Sequence, residues 1–167
     1  MERIMGFKIT VEKCNLRFSA AHFITFGGQC ERLHGHNYAL SLTVEGPLTA
    51  DSYVYDFGLL KETLRRISYT LDHRFLLPLH NPHMEVQRHE REWEIRVGER
   101  RYLFPAEDVL ALPVDNITAE RLAEYIWGEV AKELRARGGG HLTRVTVGVE
   151  ESPGQTAFYS QALSELD

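Results

Sequence analysis

Three histidines lie where two adjacent strands could bring their rings together. His34 and His36 flank Gly35, and two residues at this spacing on a strand point to the same face. His22 ends the preceding predicted strand, on its apolar face. Three imidazoles without an evident fourth protein ligand are typical of an open, catalytic zinc site. The spacing therefore predicts a metal site, with ordinary core or surface histidines as the alternative.

A cysteine and an Asp-His pair could transfer protons beside that site. Cys30 precedes His34 in a loop predicted over residues 23–33, and a nearby cation would lower the pKa of its thiol enough to make it a base or nucleophile. Cys30 could instead ligate the metal and close the site. Asp72 and His73 end the first predicted helix, where the carboxylate could orient the imidazole. Alternatively, His73 simply favours the negative end of the helix dipole.

Two carboxylates end a strand predicted from the alternation of Val145, Val147 and Val149. By parity Glu151 continues the valine face, whereas Glu150 points to the opposite face. A carboxylate on an apolar face needs a partner, and a guanidine-like ligand edge with two N–H donors would pair with it. If the strand has already ended, both carboxylates are solvated.

Apolar alternation predicts the strands that position these residues. Residues 7–22 are predicted as strand, with a bulge or bend near Cys14, which we interpret as a buried structural thiol. A strand over 34–45 follows, and a short last strand over 155–160 comes after the valine strand. Residues 84–104, within a longer excursion over 79–114, combine dense charge with alternation and are predicted to form a charged β-hairpin.

Two amphipathic helices complete the pattern. The first is predicted to begin after an Asp56 cap and to end at Leu71, with Phe57 in its apolar stripe. The second begins after a Thr118 cap and stops at the glycines of 138–140. Two strands followed by a helix, twice over, predict an α+β fold, with both helices on one side of an antiparallel sheet.

Length and composition favour one domain over residues 1–167. The chain is 43% hydrophobic and 26% charged, and 19 Lys+Arg against 24 Asp+Glu give a net charge of −5. The acidic balance argues against a nucleic-acid partner, and no signal peptide or run of about 20 apolar residues predicts a membrane segment. Two cysteines cannot form a disulfide framework. We therefore predict a soluble, cytoplasmic protein.

Together these motifs resemble the 6-pyruvoyl-tetrahydropterin synthase / 6-carboxytetrahydropterin synthase family. The similar stretches follow the family's order along the chain: Phe18-Ser19-Ala20-Ala21-His22, Cys30-Glu31-Arg32-Leu33-His34-Gly35-His36-Asn37-Tyr38, Tyr55-Asp56-Phe57 with Leu60-Lys61, Leu71-Asp72-His73, Asn116-Ile117-Thr118-Ala119-Glu120 with Leu122-Ala123 and Ile126-Trp127, and Glu151 with Tyr159. The family often has proline where this chain has Ile117.

The resemblance implies the tunnelling fold, with a four-stranded antiparallel sheet and two helices on one face. It also implies a homo-oligomer, a trimer or a dimer of trimers, in which sheets close a barrel and active sites lie between subunits. Matching positions imply three groups of site residues: the zinc ligands His22, His34 and His36; the catalytic residues Cys30, Asp72 and His73; and the pterin-binding residues Thr118, Glu120 and Glu151, with Glu151 as the anchor at the catalytic centre.

The implied substrate is 7,8-dihydroneopterin triphosphate. The spacing between Cys30 and His34 is similar to that of the branch that makes 6-carboxy-5,6,7,8-tetrahydropterin, a queuosine precursor, with loss of acetaldehyde and triphosphate. Glu31 leaves other activities open, because a third branch uses Glu in place of Cys and cleaves the side chain as dihydroneopterin aldolase does. The 6-pyruvoyl-tetrahydropterin synthase reaction and a non-catalytic metal- or pterin-binding homologue are further alternatives. Arg32 and Arg74 are candidate triphosphate-binding cations.

Overall fold

The structure, a computed structural model, describes residues 6–165. The strands within this range are β1 (Phe7–Val11), β2 (Arg17–His22), β3 (Thr25–Phe26), β4 (Gln29–Cys30), β5 (His34–Gly46), β6 (Arg74–Pro78), β7 (Glu85–Arg88), β8 (Glu92–Val97), β9 (Arg100–Pro105), β10 (Val109–Leu112), β11 (Arg144–Ser152) and β12 (Gln155–Ala162). The α-helices are α1 (Phe57–Leu71) and α2 (Ala119–Ala136), and short 3-10 turns cover Ala106–Asp108 and Leu163–Glu165.

The main sheet has seven strands in the order β10-β6-β2-β5-β11-β12, with β1 also paired to β5. The predicted strands are all present and antiparallel, but β6 lies parallel to β2 and β10 parallel to β6. The prediction of a four-stranded antiparallel sheet is therefore wrong. Segment Arg74–Pro78 is buried without alternation after its first residue, so it carries no period-2 signal, and its parallel pairing depends on the crossover through α1.

The predicted bend divides the first strand region into β1 and β2, which both pair with β5. Lys13 and Asn15 have φ values of 67° and 57°, in the left-handed region. These residues form a turn outside the sheet, and Cys14 between them is exposed. The interpretation of Cys14 as a buried structural thiol is thus wrong, because the bend removes it from the packed surface.

Both helices pack against the same face of the sheet, as predicted. The carboxylate of Asp56 accepts a hydrogen bond from the Leu59 N–H, and the Thr118 hydroxyl accepts one from the Arg121 N–H, so both caps are confirmed. Phe57 is half exposed and lies outside the stripe predicted for it. One core cluster joins the sheet to residues of both helices, among them Leu60, Leu64, Ile67, Leu71, Leu122, Ile126, Val130 and Leu134. Within residues 6–165, no helix is long and apolar enough to cross a membrane.

The charged excursion forms a three-stranded antiparallel sheet, β7-β8-β9, and not a two-stranded hairpin. Gly98, with φ 58°, makes the tight turn between β8 and β9. The inner face of this small sheet packs against β6 and β10 in a second apolar cluster that includes Phe75, Leu77, Ile95 and Val109. The excursion is therefore attached to the main sheet through its own core.

Candidate metal centre and its surroundings

The three histidines converge at the end of the β2–β5 pair. His22 and His34 are direct cross-strand partners, and their Nε2 atoms are 3.1 Å apart. One ring nitrogen from each of His22, His34 and His36 lies within 4.8 Å of the other two. Two nitrogens bound to one tetrahedral zinc are separated by about 3.3 Å. We call these residues the histidine cluster, and its geometry suits a metal ion.

Backbone carbonyls fix the tautomers of two of the rings. His22 Nδ1–H donates to the Ile117 carbonyl at 2.9 Å, and His34 Nδ1–H donates to the Arg32 carbonyl at 2.8 Å. A carbonyl can only accept, so both Nε2 atoms carry lone pairs when the rings are neutral. Burial also lowers the pKa of His22, which favours the neutral form that binds metals. Two lone pairs that face each other at 3.1 Å repel, and a cation bound by both nitrogens would remove this repulsion.

The third ring has a ligand atom without a partner. His36 Nε2 is buried and has no hydrogen-bond partner within residues 6–165. Buried polar atoms are normally paired, so an unpaired nitrogen facing two other imidazoles fits a metal ligand. The nearest acidic group is Glu151, whose Oε1 lies 3.6 Å from His36 Nε2.

Gly35 allows the close approach of β2 and β5 between the two ligands of β5. A Cβ at this position would lie 2.9 Å from the Ala20 carbonyl oxygen, closer than real Cβ atoms come to backbone. Any side chain would therefore push the strands apart beside the cluster. The His-Gly-His sequence thus combines two candidate ligands on one face with a backbone contact on the other.

Glu151 faces the cluster, as its predicted parity requires. It lies where the β11–β12 register shifts between Glu150 and Ser152, and such irregularities re-aim side chains. Glu151 also lines a cavity of about 350 Å³ with Thr118 and Glu120 from the start of α2. The Thr118 hydroxyl accepts the Arg121 N–H in its cap, so its own hydrogen is available to a ligand. The three residues predicted to bind the substrate ring therefore share one cavity.

The segment Gln29–Arg32, which we call the base segment, carries two candidate bases with different surroundings. Glu31 faces the cluster, with Oε2 3.9 Å from His34 Nε2 and bonded to the Ile24 N–H at 3.3 Å. Cys30 packs against the second apolar cluster, and its thiol donates to the Glu31 carbonyl at 3.4 Å. Burial raises the pKa of the Cys30 thiol, and the nearby Arg100 only partly opposes this. The lower thiol pKa expected beside a bound cation applies to the metal-loaded site and stays a prediction.

Asp72 and His73 form the predicted carboxylate–imidazole pair. Asp72 Oδ2 lies 2.8 Å from His73 Nδ1, while Oδ1 accepts the Ser19 N–H at 2.8 Å. That Ser19 bond, followed by the His73 contact, lowers the pKa of Asp72. His73 has a φ of 55° and an exposed side chain. Within residues 6–165, no hydrogen bond or ion pair joins this pair to the base segment or to the histidine cluster.

Comparison with known proteins identifies the family. The model of the 6-pyruvoyl tetrahydropterin synthase family matches residues 9–162. The chain belongs to this family. It is 32% identical over 149 residues to a Methanocaldococcus jannaschii protein, covering 89% of this chain and 91% of that protein, which is named as a 6-carboxy-5,6,7,8-tetrahydropterin synthase. A Rickettsia typhi protein of the same name is 29% identical and covers 73% of this chain and 82% of its own length.

Solved structures of the 6-pyruvoyl tetrahydropterin synthase family share the fold. The Plasmodium falciparum enzyme aligns with a TM-score of 0.89 at 32% identity, covering 94% of this chain and 98% of that one. A Plasmodium vivax structure aligns equally well, at 32% identity over 95% of this chain and 99% of its own, and is a variant in which a glutamate described as a catalytic residue is replaced by alanine. The mixed sheet with two helices is thus shared with these tetrahydropterin synthases.

Arg74, Ile117 and Arg100 make contacts that the sequence did not predict. Arg32 is exposed beside the cluster, while Arg74 donates to the Glu107 carbonyl and lines a separate cavity of about 600 Å³ with His73. The binding of triphosphate by Arg32 and Arg74 stays a prediction. The Ile117 carbonyl and the Arg100 guanidinium carried no sequence signal, because each acts through backbone contacts with residues distant in the chain.

Proposed function

We propose that the chain is a metal-dependent lyase that converts 7,8-dihydroneopterin triphosphate to 6-carboxy-5,6,7,8-tetrahydropterin, releasing acetaldehyde and triphosphate. The observation that carries the proposal is the histidine cluster with Glu151 beside it, 3.6 Å from His36. The names of the Methanocaldococcus and Rickettsia relatives support this product, as does the spacing between Cys30 and His34. The product would serve as a precursor of queuosine.

We propose zinc as the metal, because three neutral imidazoles with an open fourth position suit it. Bound zinc would supply Lewis-acid activation of the hydroxyl oxygens on the pterin side chain. His22 and His34 are oriented for ligation by the carbonyls of Ile117 and Arg32. His36 would contribute the nitrogen that lacks a hydrogen-bond partner within the described residues.

Glu151 is proposed to anchor the pterin ring. Its carboxylate lines the 350 Å³ cavity next to the cluster and can accept two N–H donors from the guanidine-like edge of the ring. Thr118 and Glu120 line the same cavity and would hold the remaining polar edge. The ring would therefore be held with its side chain directed towards the histidines.

The base segment supports a second candidate reaction. In the proposed carboxy synthase, Cys30 is the base and Asp72 with His73 relay protons. The orientation of Glu31 towards His34, together with the catalytic glutamate of the Plasmodium vivax enzyme, favours Glu31 as a base. A Glu31 base would point to the 6-pyruvoyl-tetrahydropterin synthase reaction or to aldolase-like cleavage of the side chain.

We further propose that the chain acts as a trimer or a dimer of trimers in the cytoplasm, with its active sites between subunits. The exposed position of His73 supports the shared site, because the Asp72–His73 pair has no described contact with the base segment of its own chain. In the assembly this pair would serve a site on a neighbouring subunit. No nucleic-acid or membrane partner is proposed.

Product analysis tests the proposed function. The zinc-loaded protein is incubated with 7,8-dihydroneopterin triphosphate, and the pterins and aldehydes are separated and identified. Acetaldehyde with the carboxypterin is the expected result. Pyruvoylpterin with free triphosphate, or hydroxymethylpterin with the triphosphate ester of glycolaldehyde, would establish the second candidate instead. Absence of any product would identify a non-catalytic homologue.

A further inference from the structure

The charged excursion contacts the base segment through one side chain. Arg100 begins β9 just after the Gly98 turn, and its Nη1 donates to the Glu31 carbonyl at 2.9 Å and to the Cys30 carbonyl at 3.3 Å. One guanidinium nitrogen thus binds the backbone of both candidate bases. The Cys30 thiol donates to the same Glu31 carbonyl, so the side chains of Arg100 and Cys30 bind one backbone oxygen.

The end of the excursion that carries Arg100 is itself held in place. Glu94 on β8 accepts hydrogen bonds from Arg101 at 3.0 Å and from Arg96 at 2.6 Å. The Arg101 guanidinium and then that of Arg96 hold the pKa of the Glu94 carboxyl at about 2. Behind this layer, Ile95 and Val97 are buried in the second apolar cluster. Arg100 therefore extends from a packed sheet and not from a mobile loop.

Besides Arg100, the base segment is attached at its end, where the Arg32 carbonyl accepts the His34 Nδ1–H at 2.8 Å, and through Cys30, which packs against the second apolar cluster. The segment includes β4, which pairs with β3 across the turn at Gly27 and Gly28. Beyond that hairpin, Glu31 is tied to Ile24 by the bond of its N–H to the Ile24 carbonyl at 3.0 Å.

A two-stranded hairpin is only marginally stable by itself, and this one is held at Thr25, which bonds to Asn116 and Asn81. At the other strand, Arg100 binds the carbonyls of Cys30 and Glu31, and a charged donor bound to two adjacent carbonyls would contribute to the order of the segment.

We propose that the excursion is part of the active site and that Arg100 is a positioning residue that holds the base segment in its working geometry. This inference rests on the proposed pterin-lyase function. Arg100 acts through the backbone of Cys30 and Glu31, so its effect applies whichever of the two is the base. Removing the guanidinium would let the base move relative to the histidine cluster, and displacements of about 1 Å in an active site can cost about 100-fold in rate.

The test compares Arg100→Met, Arg100→Lys and the control Arg91→Met in the full-length, zinc-loaded protein. Arg91 lies in the bend between β7 and β8 with an exposed side chain, so its substitution makes the same charge change within the excursion. We expect Arg100→Met to lower kcat about 10- to 100-fold with KM within about threefold of wild type. Arg100→Lys should recover part of kcat, while Arg91→Met should match wild type.

Hydrogen exchange provides a readout that does not depend on turnover. Amides of residues 24–33 should exchange faster in Arg100→Met than in Arg91→Met, while zinc content stays unchanged. Unaltered exchange would show that Arg100 does not order residues 24–33 and would overturn the proposal. Faster exchange with unaltered kcat would overturn the catalytic effect and leave Arg100 as a structural contact only. A rise in KM alone would make Arg100 a substrate-binding residue and overturn the proposal. A wild-type protein that forms no pterin product would refute the proposed function and the catalytic role, while the exchange data would still decide whether Arg100 orders the segment.

Discussion

Metal binding should depend on all three imidazoles, because the carbonyls of Ile117 and Arg32 leave two Nε2 lone pairs facing each other. We expect the double substitution His34→Ala, His36→Ala to remove the zinc from the purified protein, as measured by elemental analysis. The control His83→Ala changes an exposed histidine outside the cluster and should keep one metal per chain. Full zinc occupancy in the double variant would contradict the site.

The two neighbouring candidate bases can be separated by conservative substitutions. We expect Cys30→Ala to keep its zinc and its fold but to lose formation of the carboxypterin by about 10²- to 10⁴-fold, the usual contribution of a general base. Glu31→Gln is the matched comparison, since it removes a charge 3.9 Å from His34 while retaining the shape. Near wild-type turnover in Cys30→Ala with an inactive Glu31→Gln would assign the base to Glu31 and support the second candidate reaction.

The pair Glu150 and Glu151 offers an internal control for pterin binding. Glu151 lines the cavity beside the cluster, whereas Glu150 borders a different cavity with Arg17 and Phe158. Glu151→Gln should weaken pterin binding, measured by calorimetry, by about tenfold or more, which corresponds to about 1.4 kcal/mol. Zinc content should not change, and Glu150→Gln should bind as wild type does. The reverse ranking would place the anchor at Glu150.

The pH stability of the excursion should depend on Glu94. Hydrogen bonds from Arg101 and Arg96 lower its pKa from 4.5 to about 2. A depressed carboxyl pKa stabilises the fold above the unfolded value, and that contribution disappears as the pH falls from about 4.5 towards 2. We expect the melting temperature of wild type to fall more steeply over this range than that of Glu94→Gln. Parallel pH profiles for the two proteins would show that the carboxylate does not contribute.

At the scale of elements, the sequence predicts what has a local cause. The Asp56 and Thr118 caps and the alternation that places His22, His34 and His36 on one face are local, and all appear in the structure. Strand β6 was missed because a short run buried on both faces shows no alternation. Cys14 was misplaced because the predicted bend is a turn through two left-handed residues, Lys13 and Asn15, and strand alternation does not show that such a turn leaves the packed surface. The excursion has one strand more than the predicted hairpin, because its many charged residues interrupt the apolar alternation from which strands are predicted.

The sequence could not predict contacts between elements that are distant along the chain. Arg100 lies 69 residues from Glu31, and Ile117 lies 95 residues from His22. Both act on backbone atoms, which give no residue-type signal, so only the folded chain reveals them. By contrast, the likeness of the motifs to a known family indicated the residues around the cluster, and the family match over residues 9–162 confirms that likeness.

At the scale of the whole molecule, the distance of Asp72 and His73 from the base segment of their own chain favours a site shared between subunits. Asp72 and His73 are held by Ser19 and have no described contact with Cys30 or Glu31 in the same chain. Strand β12 ends the main sheet, and its Phe158 is 67% exposed. An open sheet edge with an exposed aromatic suits pairing with another copy. For the proposed trimer or dimer of trimers, we expect light scattering to give a mass of three or six chains.

Complementation tests whether each site is shared between subunits. Two inactive variants, His73→Ala and the double variant Cys30→Ala, Glu31→Gln, are co-expressed with different tags and purified through both. In a ring where the base comes from one chain and the relay from its neighbour, oligomers that carry both tags have both parts intact in about one third of the sites of a trimer and about one quarter of those of a dimer of trimers. We expect turnover of about that fraction of wild type, although each variant alone is inactive. Mixed oligomers that are no more active than the separate variants would show that one chain supplies both the base and the relay.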